Sequence, residues 1–234
     1  MHRHPASTLL ATAIAATTLV AVPAVAQAPR PTLEFDRDCY GEGEPMTFTG
    51  GQYTPGGDVT LLFARNGRIG DVPAVAGPDG AISGRVWAPE VQLFLADDEE
   101  RGELAVTAND QKRMQDGTAD ADPAATFALA TPTLTRTWAA LEPKAPRPGR
   151  RFRVRVRGMA AAAGRPLYLH YRRGTRTLKV TSLGRLQGPC GDLVTRTRAF
   201  PMRTVADGRY TLLVSPLRRS PTSGPYFKFT VRVG

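Results

Sequence analysis

Two stretches of the chain share one pattern of alternating apolar and polar residues, interrupted by a turn of small residues. In residues 151–171, bulky apolar residues alternate with arginine, and the alternation resumes after the turn. Residues 46–63 repeat this frame without a gap at an offset of 108 positions, so that Gly50 coincides with Gly158 and Gly56 with Gly164. Alternation of this kind is typical of strands with one buried face. The repeat therefore predicts one β-rich domain made twice.

Similar short runs recur along the rest of the chain, separated by turn signals. Asn66-Gly67 predicts a tight hairpin, and Pro78-Asp79-Gly80 predicts a further turn. We expect strands near residues 32–35, 46–49, 59–63, 82–87, 104–108, 127–129, 134–141, 152–156, 167–171, 178–180, 193–200, 210–214 and 227–233. Roughly seven short strands in each copy predict an antiparallel β-sandwich, so the fold class is all-β with two tandem sandwiches.

The first 28 residues have the anatomy of a cleaved signal peptide. A basic start is followed by a small-apolar run at 9–22 and by small residues that offer cleavage after Ala26 or Ala28. This run is shorter than the roughly 20 residues that a membrane span needs. We expect an exported protein, secreted or associated with the periplasm or cell envelope, with no transmembrane segment.

The two predicted domains carry opposite charge. Residues 29–130 contain eight Lys and Arg against 18 Asp and Glu, a formal charge of −10, whereas residues 131–234 contain 22 against three, a charge of +19. The sequence thus predicts an acidic domain at 29–130 joined directly to a basic domain at 131–234.

Arginines occupy alternate positions of one predicted strand in the basic domain. Their side chains should share one face at intervals of ~6.7 Å, with Phe152, Val154 and Val156 facing the core. The candidate anion-binding residues are Arg151, Arg153, Arg155, Arg157, His170, Arg172, Arg196 and Arg198. Guanidinium groups bind flat anions through paired hydrogen bonds, so the expected partners are anionic cell-wall polymers, polysaccharides or lipid headgroups.

Two other interpretations of these charges stay open. The basic face can simply be solubilising. Alternatively, the acidic domain can dock on the basic domain of another molecule or on its own neighbour, which would make the protein a structural or assembly module. We do not expect nucleic acid binding, because the aromatic residues of the second copy mostly share the inward parity and form no stacking platform.

The sequence contains no recognisable catalytic arrangement, and we predict a protein without enzyme activity or cofactor. His170 is the only histidine after the signal peptide, and its alternation places it on the outward face. No His and Cys cluster suggests zinc. The acidic residues at 97–100 and Asp116, Asp120 and Asp122 are interpreted as solvated loops, although calcium binding there and a hydrolase based on carboxylates alone stay open.

The segment Asp207-Gly208-Arg209-Tyr210-Thr211-Leu212 resembles the sixth strand of immunoglobulin-like domains. The resemblance implies that the Tyr210 hydroxyl bonds back to the backbone as a tyrosine corner. Together with the run GQYTPGG at 51–57, the chain resembles tandem immunoglobulin-like modules of secreted bacterial envelope proteins. The paired core cysteines of that family are missing, and the position of its core tryptophan holds Leu61 and Leu169.

What this resemblance implies for the cysteines is a disulfide between the two domains. In a seven-strand sandwich, Cys39 and Cys190 would lie at the ends that face each other in an end-to-end tandem. Closing a loop of about 150 residues contributes up to ~5 kcal/mol on the chain-entropy model. Two unpaired thiols, or thiols paired between molecules, are the alternative that the sequence leaves open.

Overall fold

Short strands joined by tight turns make up most of the chain in the computed structural model, which describes residues 29–219 and 225–234. The predicted signal peptide at 1–28 lies outside the described residues. We call residues 29–130 the first half and residues 131–234 the second half. The predicted fold class, all-β with tandem antiparallel sandwiches, is confirmed.

The strands of the first half are β1 (Thr32–Phe35), β2 (Cys39–Gly41), β3 (Pro45–Gly51), β4 (Asp58–Arg65), β5 (Arg68–Val75), β6 (Ile82–Trp87), β7 (Arg101–Glu103), β8 (Ala105–Asp110) and β9 (Phe127–Ala130). The predicted hairpin joins β4 to β5, where Asn66 and Gly67 have φ values of 49° and 75°. A two-residue hairpin of this type needs positive φ at both positions, which is why Asn-Gly forms it so readily.

The strands of the second half are β10 (Thr133–Thr135), β11 (Trp138–Glu142), β12 (Arg151–Arg157), β13 (Pro166–Arg173), β14 (Arg176–Arg185), β15 (Leu193–Arg198), β16 (Gly208–Ser215) and β17 (Phe227–Val233). Strand β13 begins and ends 108 positions after β4, which is the offset found in the sequence.

Both halves build two sheets in the same strand order. In the first half the sheets run β1-β3-β6 and β5-β4-β8-β9. In the second half they run β11-β12-β15 and β14-β13-β16-β17, with each strand in the place of its counterpart. The neighbouring strands in these four sheets are antiparallel. The duplication inferred from the sequence is therefore also a duplication of topology.

Each pair of sheets encloses its own apolar core. Met46, Leu61 and Val106 belong to a cluster formed by the first half, and Val154 and Leu212 belong to a cluster formed by the second. These side chains are at most 1% exposed. Burial of such side chains contributes about 1.5–3 kcal/mol each, so the two clusters account for most of the stabilising free energy.

The segment between the halves forms a strand of its own. β10 pairs in parallel with β2 and antiparallel with β7, and Leu134 on this strand packs in the cluster of the first half. The first strand that joins the second half's sheets is β11. The domain boundary at 130/131 stays a prediction, but the connection is a paired strand rather than a free linker.

The α-helices in the described part of the chain are short and lie in the first half. They are α1 (Val91–Phe94), α2 (Gln111–Gln115) and α3 (Thr118–Ala121). None of the helices among the described residues is long and apolar enough to span a bilayer.

Candidate anion-binding site

The arginines of β12 alternate with core residues as predicted. Phe152, Val154 and Val156 are buried, whereas the side chains of Arg151 and its alternate neighbours reach the surface. Successive side chains of a strand point to opposite sides of the sheet, so Arg151, Arg153, Arg155 and Arg157 line one outward face.

Strand β15 adds two further arginines beside this row. Arg196 lies directly opposite Arg153, and Arg198 lies opposite Arg151. Cβ atoms of directly opposed residues in an antiparallel pair are about 4.5–5.5 Å apart, and like charges there are destabilising. We call these four residues the arginine block; its two neighbouring pairs of like charge share one sheet face.

Glu142, at the end of β11, is the carboxylate nearest to the block. Its side chain contacts Arg155 Nε at 3.0 Å and Arg153 at 3.4 Å. Among the described residues, no carboxylate lies within 4.0 Å of Arg151, Arg196 or Arg198. One acid is thus shared by two arginines, and three of the four block guanidinium groups have none.

A shallow depression of about 320 Å³ lies among these side chains, lined by Glu142, Arg151, Phe152, Arg153 and Arg196. Cationic groups therefore surround a space large enough for a small anion or one unit of a polymer. Glu142 was not among the sequence-predicted site residues. The sequence feature that could have pointed to Glu142 is that the second half has only three acidic residues.

Arg157 is held differently from its neighbours on β12. Its guanidinium donates to Asp192 at 2.9 Å, and Arg101 of the first half donates to the same carboxylate at 2.6 Å. Burial acts to raise the pKa of Asp192, but hydrogen bonds from Arg101 and the Gly158 N–H outweigh it and keep that pKa below its ordinary value. Arg157 therefore takes part in a contact between the halves. Because it is paired with Asp192, it does not belong to the anion site as predicted.

His170 and Arg172 do not share the face of the arginine block, and here the sequence interpretation was wrong. Both lie on β13, which belongs to the opposite sheet of the sandwich. His170 is also fully buried rather than exposed, and its Nε2 donates to the Leu217 carbonyl at 2.9 Å. Burial lowers the pKa of His170, and the charge of Arg172 lowers it further. The alternation of the strand correctly predicted that His170 points away from the core, but the later segment that contains Leu217 covers its side chain.

The predicted disulfide is confirmed. Cys39 on β2 and Cys190 in the turn between β14 and β15 are bonded, with a Cα–Cα distance of 5.1 Å. Both cysteines are buried beside Ala160. Gly191 follows in a turn at φ 67°, where a Cβ atom would overlap the Met159 carbonyl, so only glycine fits this approach. The bond links a strand of the first half to a turn of the second.

Other contacts between the halves do not involve the arginine block. The Ala161 N–H donates to Glu44 at 3.2 Å, and the ion pair nearby takes its base, Arg101, from the acidic half and its acid, Asp192, from the basic half. In the acidic run at 97–100, the Glu99 side chain pairs with Arg65 of its own half at 2.9 Å, and the Glu100 carbonyl accepts from the Arg136 N–H at 2.8 Å. The arginine block thus stays open to solvent.

The acidic loops form no cation cage in the described part of the chain. No group of three or more His, Cys, Asp or Glu side chains there could hold a metal ion. Asp122 instead accepts a hydrogen bond from the Ala124 N–H at 3.1 Å and lies 3.7 Å from Arg30.

Tyr210 forms the corner that the immunoglobulin resemblance implies. Its hydroxyl donates to the Ala206 carbonyl at 2.7 Å, and its ring packs on Phe200 with centroids 5.0 Å apart. The residue therefore ties the loop before β16 to the core.

No protein-family model matches the sequence, and no curated protein matches it either. Among solved structures, the chain is similar to a tetra-tandem repeat in the extending region of a large adhesion protein, with 15% identity and a TM-score of 0.31 over 87% of this chain and 48% of that one. It is also similar to red sea bream transglutaminase, with 14% identity and a TM-score of 0.28 over 89% of this chain and 32% of that one. The chain thus spans less than half the length of either protein, and both likenesses are too distant to carry an argument about function.

Proposed function

We propose that this protein is an exported, non-catalytic binding protein that captures anionic polymers of the cell envelope or its surroundings on the arginine block. One observation carries the proposal: two directly opposed arginine pairs, Arg151 with Arg198 and Arg153 with Arg196, lie side by side on an open sheet face. Such an arrangement costs stability in the free protein. A bound anion removes that cost.

The chemistry of the block suits ligands that repeat their negative charges. A guanidinium group binds a phosphate or carboxylate through two parallel hydrogen bonds, and it is less strongly hydrated than an ammonium group. Several such contacts along one polymer add up, while each is screened by salt. Wall polymers, acidic polysaccharides and lipid headgroups all offer these groups outside the cell.

The disulfide supports the compartment that this function needs. Disulfides form and persist in oxidising surroundings, such as the periplasm or the extracellular space. A buried Cys39–Cys190 bond therefore supports export, as does the signal-peptide pattern at 1–28. The finer assignment, to tandem immunoglobulin-like modules of secreted bacterial envelope proteins, is part of the same proposal.

The test compares two variants that remove the same charge from opposite sheets. Arg196→Ser with Arg198→Ser removes half of the block. Arg209→Ser with Arg232→Ser removes a directly opposed pair from β16 and β17. We expect immobilised polyphosphate and anionic liposomes to retain the wild-type protein and the second variant at ~0.15 M salt, and to release the first.

Retention should also fall steeply as salt rises, because the contacts are ionic. Equal retention of the two variants would show that only net charge matters and would reject the block as the site. Retention that does not change between low and high salt would reject the mechanism.

A further inference from the structure

A second open site lies on the first half, and it is largely apolar where the arginine block is cationic. The edge strands β5 and β6 belong to different sheets, and the gap between them opens as a groove of about 450 Å³. Buried Phe63, Val86 and Phe94 line its floor. At its lip stands Trp87, 68% exposed. We call this the Trp87 groove.

The polar groups of this groove are balanced in charge. Asp71 and Arg85 line it, both are exposed, and they form no ion pair with each other. Among the side chains that the structure describes, neither has a hydrogen-bond partner. The groove thus offers one acceptor and one donor beside an apolar floor, without the net charge that attracts an ionic polymer.

Gly70 shows that the groove has room where a side chain would normally stand. This glycine lies inside β5, opposite Phe63, and its φ is not in the left-handed region. A Cβ atom added there would meet nothing within 4 Å. Glycine inside a strand weakens it and often marks close approach of a ligand or another backbone. By contrast, a Cβ atom at Gly84 on β6 would collide with the ring of Phe48, so packing explains that glycine.

We infer that the Trp87 groove binds an uncharged glycan. A pyranose ring has an apolar face of C–H groups and a rim of hydroxyls. The indole of Trp87 offers a flat surface for the face, and Asp71 and Arg85 accept from and donate to the rim. The balanced charge of the lining favours a neutral sugar over the anionic polymer proposed for the arginine block. The chain would then hold a polymer network at two chemically different points.

The experiment uses the fluorescence of Trp87. The chain has two tryptophans, so Trp138→Phe leaves Trp87 as the reporter. We would titrate this variant with neutral tetrasaccharides of three kinds: N-acetylglucosamine, β-linked glucose and α-linked glucose. At least one should change the emission saturably below about 10 mM. Gly70→Leu, made in the same background, should fill the groove without strain and weaken binding about tenfold or more. Its urea midpoint should not fall.

Three results would overturn the inference. The first is that none of the sugars changes the emission. The second is that Gly70→Leu binds as well as its parent. The third is that Trp87 becomes buried as the protein concentration rises in the absence of sugar. The last result would identify the groove as a surface for self-association. The arginine variant Arg196→Ser with Arg198→Ser should bind the tetrasaccharide normally, so failure here and failure on polyphosphate are separate outcomes.

Discussion

Replacing Arg196 and Arg198 with threonine should stabilise the free protein. Each arginine directly faces another arginine of β12. The substitutions leave Arg151 and Arg153 without opposed like charges. Threonine is well suited to an exposed strand position, so the backbone preference is not lowered.

The size of the gain follows from the two relieved pairs. A directly opposed pair changes stability by about 0.2–1 kcal/mol, so the two pairs together give a gain of about 0.4–2 kcal/mol at low salt. The Debye length shortens from about 10 Å at 0.1 M to about 3 Å at 1 M. Most of the gain should therefore disappear at 1 M salt.

Urea unfolding at ~0.02 M and at ~1 M sodium chloride measures this effect. Val194→Thr is the matched control, because Val194 is an exposed neighbour on the same strand, opposite Arg155. The control should show no salt-dependent gain. If the double variant were less stable than the wild type at low salt, or if its gain persisted unchanged at high salt, repulsion within the block would not be the operative force.

Anions should reverse the order of stability. A ligand that binds only the folded protein adds about 2.7 kcal/mol at a hundred times its dissociation constant. Polyphosphate should therefore stabilise the wild type well beyond the double variant. A residue pair that lowers stability when empty and raises it when occupied is what a binding site, rather than a solubilising surface, is expected to show.

Three further predictions concern the framework around the site. Changing both Cys39 and Cys190 to serine should lower the free energy of unfolding by up to about 5 kcal/mol, because the bond spans 151 residues. Acidification should destabilise the wild type more than His170→Gln. Burial lowers the pKa of His170 in the folded state, so its stabilising contribution is complete above the unfolded value of about 6.5 and is lost as pH falls below it. Tyr210→Phe should cost about 0.5–1.5 kcal/mol through loss of its hydrogen bond to Ala206.

Each of these has its own check by urea unfolding. For the cysteines, equal midpoints for the variant and the oxidised wild type would contradict the prediction. For His170, the quantity is the difference between wild type and variant from pH 7.5 to 5, and a constant difference would mean that the imidazole does not titrate as described. For Tyr210, the control is Tyr168→Phe, since no hydrogen bond of the Tyr168 hydroxyl is seen within the described residues, and equal losses would remove the corner's role.

Strand parity explains why part of the site was predictable. Side chains alternate across a strand because of the covalent geometry of the backbone, whatever the strand packs against. The outward row on β12 and the exposed Arg196 and Arg198 follow from this local rule. The hairpin at Asn66-Gly67 is equally local, because two positive φ values suit few other residue pairs.

Parity does not say which sheet a strand joins or what covers its outer side. His170 and Arg172 obey the alternation, yet β13 lies in the other sheet, and the segment around Leu217 buries the imidazole. The carbonyl that binds His170 lies 47 positions further along the chain, and β16, the other neighbour of β13 besides the adjacent β14, is also distant in sequence. No local pattern contains that information.

The amino-acid sequence by itself therefore determined most of the strands with their inward and outward faces, the duplication and the opposite charges of the halves, but not β2, β5 or β7. Only the tertiary structure decided that Cys39 meets Cys190, that Asp192 engages Arg157, and that the β5 and β6 edges leave a groove beside Trp87. The physical reason is the separation along the chain of the residues that interact. Alternation and turns depend on neighbouring backbone geometry, whereas pairing, burial and open edges depend on which distant segments pack together.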